Sequence, residues 1–152
     1  MGLRNKIDLI VGKALIVIMA IMVINVLWQV FSRYILGSPS SFTDELARYL
    51  MIWLGVLGAA YVSGKNGHVA IDLIPSKLSG QGQKRLKRIV GTMIILFSLA
   101  AFVIGGSRLV YITFVLEQYS PALQLPLAVV YLILPISGIL IIYYKLLDLK
   151  KL

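Results

Sequence analysis

Residues 41–62 read SFTDELARYLMIWLGVLGAAYV, a long apolar run with charged residues at its start. Such a run is long enough for a helix to cross the hydrocarbon core of a bilayer, which is roughly 30 Å thick. The composition agrees, because 59% of the 152 residues are hydrophobic and only 14% are charged, and the mean hydropathy is +0.91. Soluble domains carry about a quarter charged residues, so we expect lipid to surround most of this chain.

Three further apolar segments accompany this one, and together they predict an all-α integral membrane protein with four transmembrane helices. The expected spans are residues 14–32, 46–62, 89–107 (with a continuation to 116 left open) and 126–144. They form one membrane domain covering the whole chain. The first apolar segment is too long for the core of a signal peptide and lacks a small-residue cleavage site, so we expect it to stay attached.

Lysine and arginine are distributed unevenly among the segments that connect the spans. Twelve lie in the N-terminal segment, the middle connection and the C-terminal tail, against three in the first and third connections. Basic residues are retained on the cytoplasmic side of a membrane, so both termini are predicted to be cytoplasmic. The KRLKR run at 84–88 is therefore interpreted as orienting charge and not as a nucleic-acid footprint.

Three ionisable residues, Asp44, Glu45 and Arg48, lie where the second span begins. Ser41 or Thr43 is expected to cap this helix, and the helix dipole favours negative charge in the first turn. Arg48 follows the two acids at helical spacing, so an ion pair within the turn is feasible. The sequence leaves two interpretations open, a capped helix end and a docking point for another protein.

Polar and small residues within the spans predict contacts between helices. Asn25 and Gln29 share one face of the first span, and amides in lipid need hydrogen-bond partners. Gly55, Ala59 and Ser63 recur every four residues in the second span, and such a stripe permits close approach by another helix.

Other residues are expected to act near the membrane surfaces or to bend the spans. The expected interfacial anchors are Trp28, Arg33, Tyr34 and Trp53. The middle segment HVAIDLIPSKL (68–78) contains His68 and Asp72. It is either a short amphipathic segment on the inner membrane surface or a loop packed against the spans. Gly105-Gly106 suggests that the third span bends or ends there, and Pro135 predicts a kink in the fourth.

The chain lacks the residues that several functional classes require. The chain has no cysteine and a single histidine, which excludes disulfides, thiolate metal sites and haem held by paired histidines. No phosphate-binding or hydrolase motif is present. We therefore expect no enzymatic activity, no metal and no cofactor.

The hypothesis that remains is an accessory subunit of a larger membrane complex. The alternative is an autonomous small four-helix exporter, which is disfavoured because it would need an acidic residue inside a span.

Specific motifs follow one another along most of the chain. They are Ser32-Arg33-Tyr34, then Asp44-Glu45 before Leu46-Ala47-Arg48-Tyr49-Leu50, then His68-Val69-Ala70-Ile71-Asp72, and finally YSPALQLPLAVVYLILPISG at 119–138. This series resembles the small membrane subunit of tripartite ATP-independent periplasmic (TRAP) transporters, the DctQ-like family.

The resemblance implies a protein of a bacterial or archaeal inner membrane that assembles with a large DctM-like permease subunit and a periplasmic DctP-like substrate-binding protein. Together these import organic acids, such as dicarboxylates, keto acids or acidic sugars including sialic acid, on a sodium gradient. The large subunit is implied to hold the substrate and ion sites and to move against a static scaffold that includes this chain. Asp44, Glu45 and Arg48 would then fix the outer end of the second span, and His68 and Asp72 the inner end. Membrane lipid is the other expected partner, and nucleic acid is not one.

Overall fold

The computed structural model describes residues 3–38, 40–65 and 80–150. Its helices are α1 (Leu3–Tyr34), α2 (Ser41–Gly64), α3 (Gly80–Phe97), α4 (Gly106–Val115), α5 (Leu127–Tyr131) and α6 (Ile133–Lys150), with a π-helical segment (Ser98–Gly105) joining α3 to α4. The third span comprises α3, the π-helical segment and α4, and the fourth comprises α5 and α6. All four spans are long and apolar enough to cross a membrane. The prediction of an all-α protein with four spans is confirmed.

The helices extend beyond the apolar runs from which they are predicted. α1 is 32 residues long, about 48 Å at 1.5 Å per residue, which exceeds the thickness of the hydrocarbon core. Its first turns therefore project past the lipid tails, and they bring Arg4 and Asp8 into the helix. The third span likewise begins at Gly80 and runs to Val115, so Gly105-Gly106 does not end it. Of the possibilities that the sequence left open, an end at these glycines is excluded, and the continuation towards residue 116 is confirmed.

The backbone after Val115 shows how the third span ends. Gln118 N–H donates to the Thr113 carbonyl at 3.0 Å, and Glu117 N–H donates to the Phe114 carbonyl at 3.1 Å. This pair of bonds is a Schellman motif, whose left-handed position is usually a glycine. Glu117 occupies it with φ of +48°. A non-glycine residue here costs free energy, which the two hydrogen bonds offset.

Two glycines permit close contact between the third and fourth spans. A Cβ added to Gly138 would lie 2.7 Å from Phe102 Cβ, and one added to Gly106 would lie 2.8 Å from Leu134 Cβ. Both distances are shorter than side chains tolerate, so neither position accepts alanine without moving a helix. Lipid tails do not drive helices together as water does, so this packing contributes directly to their association.

The fourth span is interrupted near Pro135, as its sequence predicts. α5 ends at Tyr131, α6 begins at Ile133, and Pro135 lies two residues further on. Proline has no N–H to bond the carbonyl four residues earlier, so the regular ladder is broken there. Trp53 Nε1 on α2 donates to the Val130 carbonyl at 3.0 Å, next to this break.

Burial increases from the first span to the fourth. α1 is the least buried span and the fourth the most buried. An apolar core around Val11, Leu57 and Ile133 joins α1, α2 and the fourth span. The buried polar residues are mostly small, and they include Ser63, Ser98 and Ser137. The many large apolar side chains left exposed, mainly on α1 and the third span, are suited to contact with lipid.

The glycine contacts generate a paired test. Gly138→Ala is expected to lower the free energy of unfolding by about 1–3 kcal/mol, the usual cost of overpacking. Gly55→Ala is the matched control, because a Cβ there meets nothing within 4 Å. It should be neutral or stabilise by up to about 1 kcal/mol, since alanine favours a helix. Thermal unfolding of the purified variants in detergent measures both, and equal losses would contradict the proposed role of the close contact.

Candidate functional site

Polar contacts are concentrated at the two ends of the helical bundle. One group lies around the start of α2, beside the first and third connections, and we call it the loop-end cluster; its members are Asn25, Gln29, Thr43, Asp44, Glu45, Arg48 and Ser120. The other lies where α1 begins and where α2 and α6 end, and we call it the terminus-end cluster; its members are Arg4, Asp8, Lys65, Tyr144, Lys145 and Asp148.

The start of α2 differs from the sequence expectation. Its N-cap is Ser40, whose side chain makes no capping hydrogen bond. Thr43 Oγ1 instead donates to the Ser40 carbonyl at 2.9 Å. The prediction that Ser41 or Thr43 caps the helix is therefore wrong, because the cap lies one residue before Ser41 and three residues before Thr43.

Glu45 connects α2 to the third connection. One of its carboxylate oxygens accepts hydrogen bonds from the Ser120 hydroxyl and from the N–H groups of Ala122 and Leu123, the latter two at 3.1 Å. Ser120 Oγ also accepts from Leu123 N–H at 3.2 Å. The carboxylate thus binds the free N–H groups of a tight turn, which is where the backbone favours an anion. The turn is fixed against the start of α2.

Asp44, Gln29 and Arg48 form a second, more exposed part of the loop-end cluster. Asp44 pairs with Arg48 at 3.2 Å, and their side chains are 57% and 67% exposed. Gln29 Nε2 donates to the other Asp44 oxygen at 3.0 Å. Of the two acids that could pair with Arg48, the ion pair forms with Asp44. An exposed pair of this kind contributes less than about 1 kcal/mol, so its charges are available to a partner.

Asn25 provides the buried contact between α1 and α2. Its side-chain N–H donates to the Thr43 carbonyl at 2.8 Å, and the residue is 7% exposed. Asn25 and Gln29 therefore both bind the first turn of α2. This contact and the bond from Gln29 hold the ends of two spans together beside the first connection.

The terminus-end cluster joins three spans. Arg4 on α1 pairs with Asp148 on α6 at 3.0 Å and donates to the Gly64 carbonyl at the end of α2. Asp8 accepts a hydrogen bond from the Tyr144 hydroxyl at 2.6 Å. Gly64 is required here, because a Cβ would lie 2.7 Å from the Tyr144 ring.

Two lysines complete this cluster. Lys65 lies 3.5 Å from Asp8, and Lys145 lies 3.8 Å from Asp148. Sequence reasoning treated Arg4, Lys65 and Lys145 only as orienting charge and assigned nothing to the acids. A signal was present, because two of the six acidic residues of the chain lie close to its ends. Only the helical extensions beyond the apolar runs reveal that these acids face the basic side chains.

The small-residue stripe of α2 is divided between two environments. Gly55 and Ala59 are exposed, whereas Ser63 is 2% exposed and lies inside the chain. Only the first two residues therefore present an open surface. His68, Asp72 and the expected amphipathic segment at 68–78 lie outside the described residues.

The expected interfacial anchors also fall into two groups. Arg33 is exposed, Tyr34 is 79% exposed, and Trp28 is 53% exposed and stacked on Phe31. Trp53 differs, because it is partly buried and its indole N–H binds a carbonyl of the fourth span. Its polar edge therefore contacts a helix of this chain.

The described part of the chain offers no cluster of three or more metal-ligating side chains. The clusters instead use their charges to bind one helix end to another. This arrangement is suited to holding spans in place.

Comparison with known proteins identifies the family. The family described as tripartite ATP-independent periplasmic transporters, DctQ component, matches residues 11–152. The chain belongs to the DctQ family. It is therefore a component of a TRAP transporter, a multi-pass protein of the inner membrane and not an enzyme. The family resemblance found in the sequence is confirmed.

Individual relatives agree with the family match. The chain is 36% identical to a protein of Haemophilus influenzae assigned as a TRAP transporter small permease protein, over 86% of this chain and 82% of the relative. It is 30% identical to the sialic acid TRAP transporter small permease protein SiaQ of Vibrio cholerae, over 68% of this chain and 60% of that protein.

A third relative is much longer than this chain. The isethionate TRAP transporter permease protein DctMQ of Oleidesulfovibrio alaskensis is 31% identical over 66% of this chain but only 16% of its own length. Its name joins the large and small permease components. TRAP small subunits act with large M subunits, and in that relative the two share one polypeptide.

The contacts of Glu45 generate a test within the loop-end cluster. Glu45→Gln keeps the shape of the side chain but removes the charge that strengthens its three hydrogen bonds. We expect a lower unfolding temperature in detergent and faster amide hydrogen exchange at residues 120–124. Asp44→Asn is the matched control and should change both measurements little, because the Asp44 pair is exposed. Equal effects of the two substitutions would contradict the structural role of Glu45.

Proposed function

We propose that this chain is the small permease subunit of a sodium-coupled TRAP transporter and that it acts as a static scaffold for the large permease subunit. The observation that supports this role is the presence of a polar cluster at each end of the bundle. The terminus-end cluster binds α1 to α2 and α6. The loop-end cluster binds α1 to α2 and α2 to the third connection. A unit fixed at both ends resists the shear that a moving neighbour exerts on it.

The proposed partners are a large DctM-like permease subunit and a periplasmic DctP-like substrate-binding protein. Gly55 and Ala59 leave part of α2 without bulky side chains, which suits close contact with a helix of the large subunit. The exposed Asp44–Arg48 pair offers charges of both signs at the loop end. We propose that it contacts the large subunit or the binding protein.

The proposed cargo is an organic acid. Two of the relatives named above belong to transporters of sialic acid and isethionate, according to their names, and both compounds are anions at neutral pH. Similar small subunits thus serve chemically different anions, which fits a subunit that does not bind the cargo. We propose that the large subunit holds the substrate and sodium sites.

We also propose that both termini are cytoplasmic, as the distribution of basic residues predicts. The chain contains no cysteine, so single cysteines can be labelled without background. In intact spheroplasts, a membrane-impermeant maleimide should label Glu117→Cys and should label Asn5→Cys only after the membrane is permeabilised. The reverse pattern would overturn the proposed orientation.

A genetic experiment tests the scaffold function. Deletion of the gene should abolish sodium-driven uptake of the transporter's substrate, and the wild-type gene should restore it. Arg48→Ala should restore uptake poorly while inserting normally, because its exposed ion pair contributes little to the stability of the chain itself. Membrane abundance, co-purification with the large subunit and uptake are measured on the same cells.

Two results would contradict this function, and one would remove the Asp44–Arg48 pair from it. Uptake that persists after deletion would show that the chain is dispensable. If cells that carry Arg48→Ala showed wild-type uptake and co-purification, the Asp44–Arg48 pair would only stabilise the first turns of α2 and would not contact a partner. Solute accumulation by proteoliposomes that contain this chain alone would favour the autonomous exporter.

A further inference from the structure

The beginning of α3 carries more positive charge than the described residues compensate. Four basic residues lie within its first nine positions, at Lys84, Arg85, Lys87 and Arg88. All four are exposed, and no ion pair to another described residue is found for any of them. Like charges three and four residues apart on a helix repel one another. A negative partner outside the chain would relieve this repulsion.

Both described acidic residues at the same end of the bundle are already bound. Asp8 contacts Lys65 and Tyr144, and Asp148 contacts Arg4 and Lys145. These carboxylates cannot pair with the basic residues of α3 without breaking the contacts that join α1, α2 and α6.

The basic residues fall on two sides of α3. Gly91 faces α6, since a Cβ there would lie 3.0 Å from Leu149 Cδ2. Lys84 and Lys87 precede Gly91 by seven and four residues, so helical spacing places them above this packed side.

Arg85 lies above a different surface. It is followed at intervals of four residues by Ile89 and Met93, which are 59% and 66% exposed, and eleven residues later by Leu96, which is 59% exposed. Residues at these spacings share one face of a helix. Arg88 lies three residues after Arg85, between this face and the side that packs on α6, so both guanidinium groups can reach the end of the exposed apolar stripe.

We propose that Arg85 and Arg88 bind the headgroup phosphate of an anionic phospholipid whose acyl chains lie along Ile89, Met93 and Leu96. Guanidinium groups bind phosphate with two parallel hydrogen bonds. Basic clusters at the ends of membrane helices attract anionic lipids. A phospholipid presents phosphate and apolar chains at the spacing that this face offers, whereas a soluble phosphate would leave the apolar stripe unused. The two arginines thus bind a lipid and also contribute to the charge that orients the chain in the membrane.

The experiment compares two double variants with the same net charge. The full-length chain is purified in a neutral detergent, and fluorescent phosphatidylglycerol is titrated into the wild type, R85Q/R88Q and the control K84Q/K87Q. R85Q/R88Q should weaken binding about thirty-fold, given the contribution of each basic residue near a membrane surface. K84Q/K87Q should weaken it much less. R85K/R88K, which keeps the charge, should retain part of the affinity.

Competition identifies the ligand. Unlabelled phosphatidylglycerol should displace the probe, whereas phosphatidylcholine and glycerol 3-phosphate at equal concentration should not. Circular dichroism and gel filtration verify that each variant is folded. Equal losses in R85Q/R88Q and K84Q/K87Q would indicate a diffuse positive field and overturn the site. Displacement by phosphatidylcholine would show that charge is not recognised, and displacement by glycerol 3-phosphate would show that a soluble phosphate suffices. Either result would also overturn it.

Discussion

A charged group in or beside hydrocarbon needs a partner, because lipid supplies no hydrogen bonds. Glu45 meets this requirement with the hydroxyl of Ser120 and two backbone N–H groups of the same turn. One carboxylate thereby satisfies donors that the turn leaves free and attaches the third connection to the start of α2. The position of the fourth span depends on this contact, because α5 begins only a few residues after the turn.

The same requirement organises the opposite end of the bundle. Arg4, Asp8 and Asp148 belong to helices that extend past the apolar runs, and each is bound to a residue of another span. Between the two ends, association depends on close packing at Gly106 and Gly138. Apolar burial drives little association between helices inside a membrane. The fixed ends and the close contacts in the middle are the features that support the proposed scaffold role.

The composition and apolar runs were sufficient to predict four spans, and the ordered motifs were sufficient to predict the family. The sequence also indicated where polar contacts would lie, since Asn25, Gln29, Asp44 and Arg48 are brought together at the start of α2. It could not assign the partner of Glu45, because Ser120 is 75 residues away in the chain and reaches it only through packing of the whole bundle. The Arg4–Asp148 pair could not be predicted for the same reason, because 144 residues separate its two members. The hydrogen bond from Trp53 to the fourth span was also not predictable, because hydropathy does not reveal the break between α5 and α6 beside it.

The central claim is that the chain keeps one shape while the transporter works. The absence of native cysteine permits spin labels at two chosen positions, such as Leu36 with Leu116 at the loop end and Lys6 with Lys150 at the terminus end. Electron–electron double resonance on the assembled transporter in liposomes then measures the distance in each pair, with and without sodium and substrate. A scaffold predicts unchanged distance distributions in both pairs while labels on the large subunit move. A shift of either pair on addition of sodium and substrate would contradict this account.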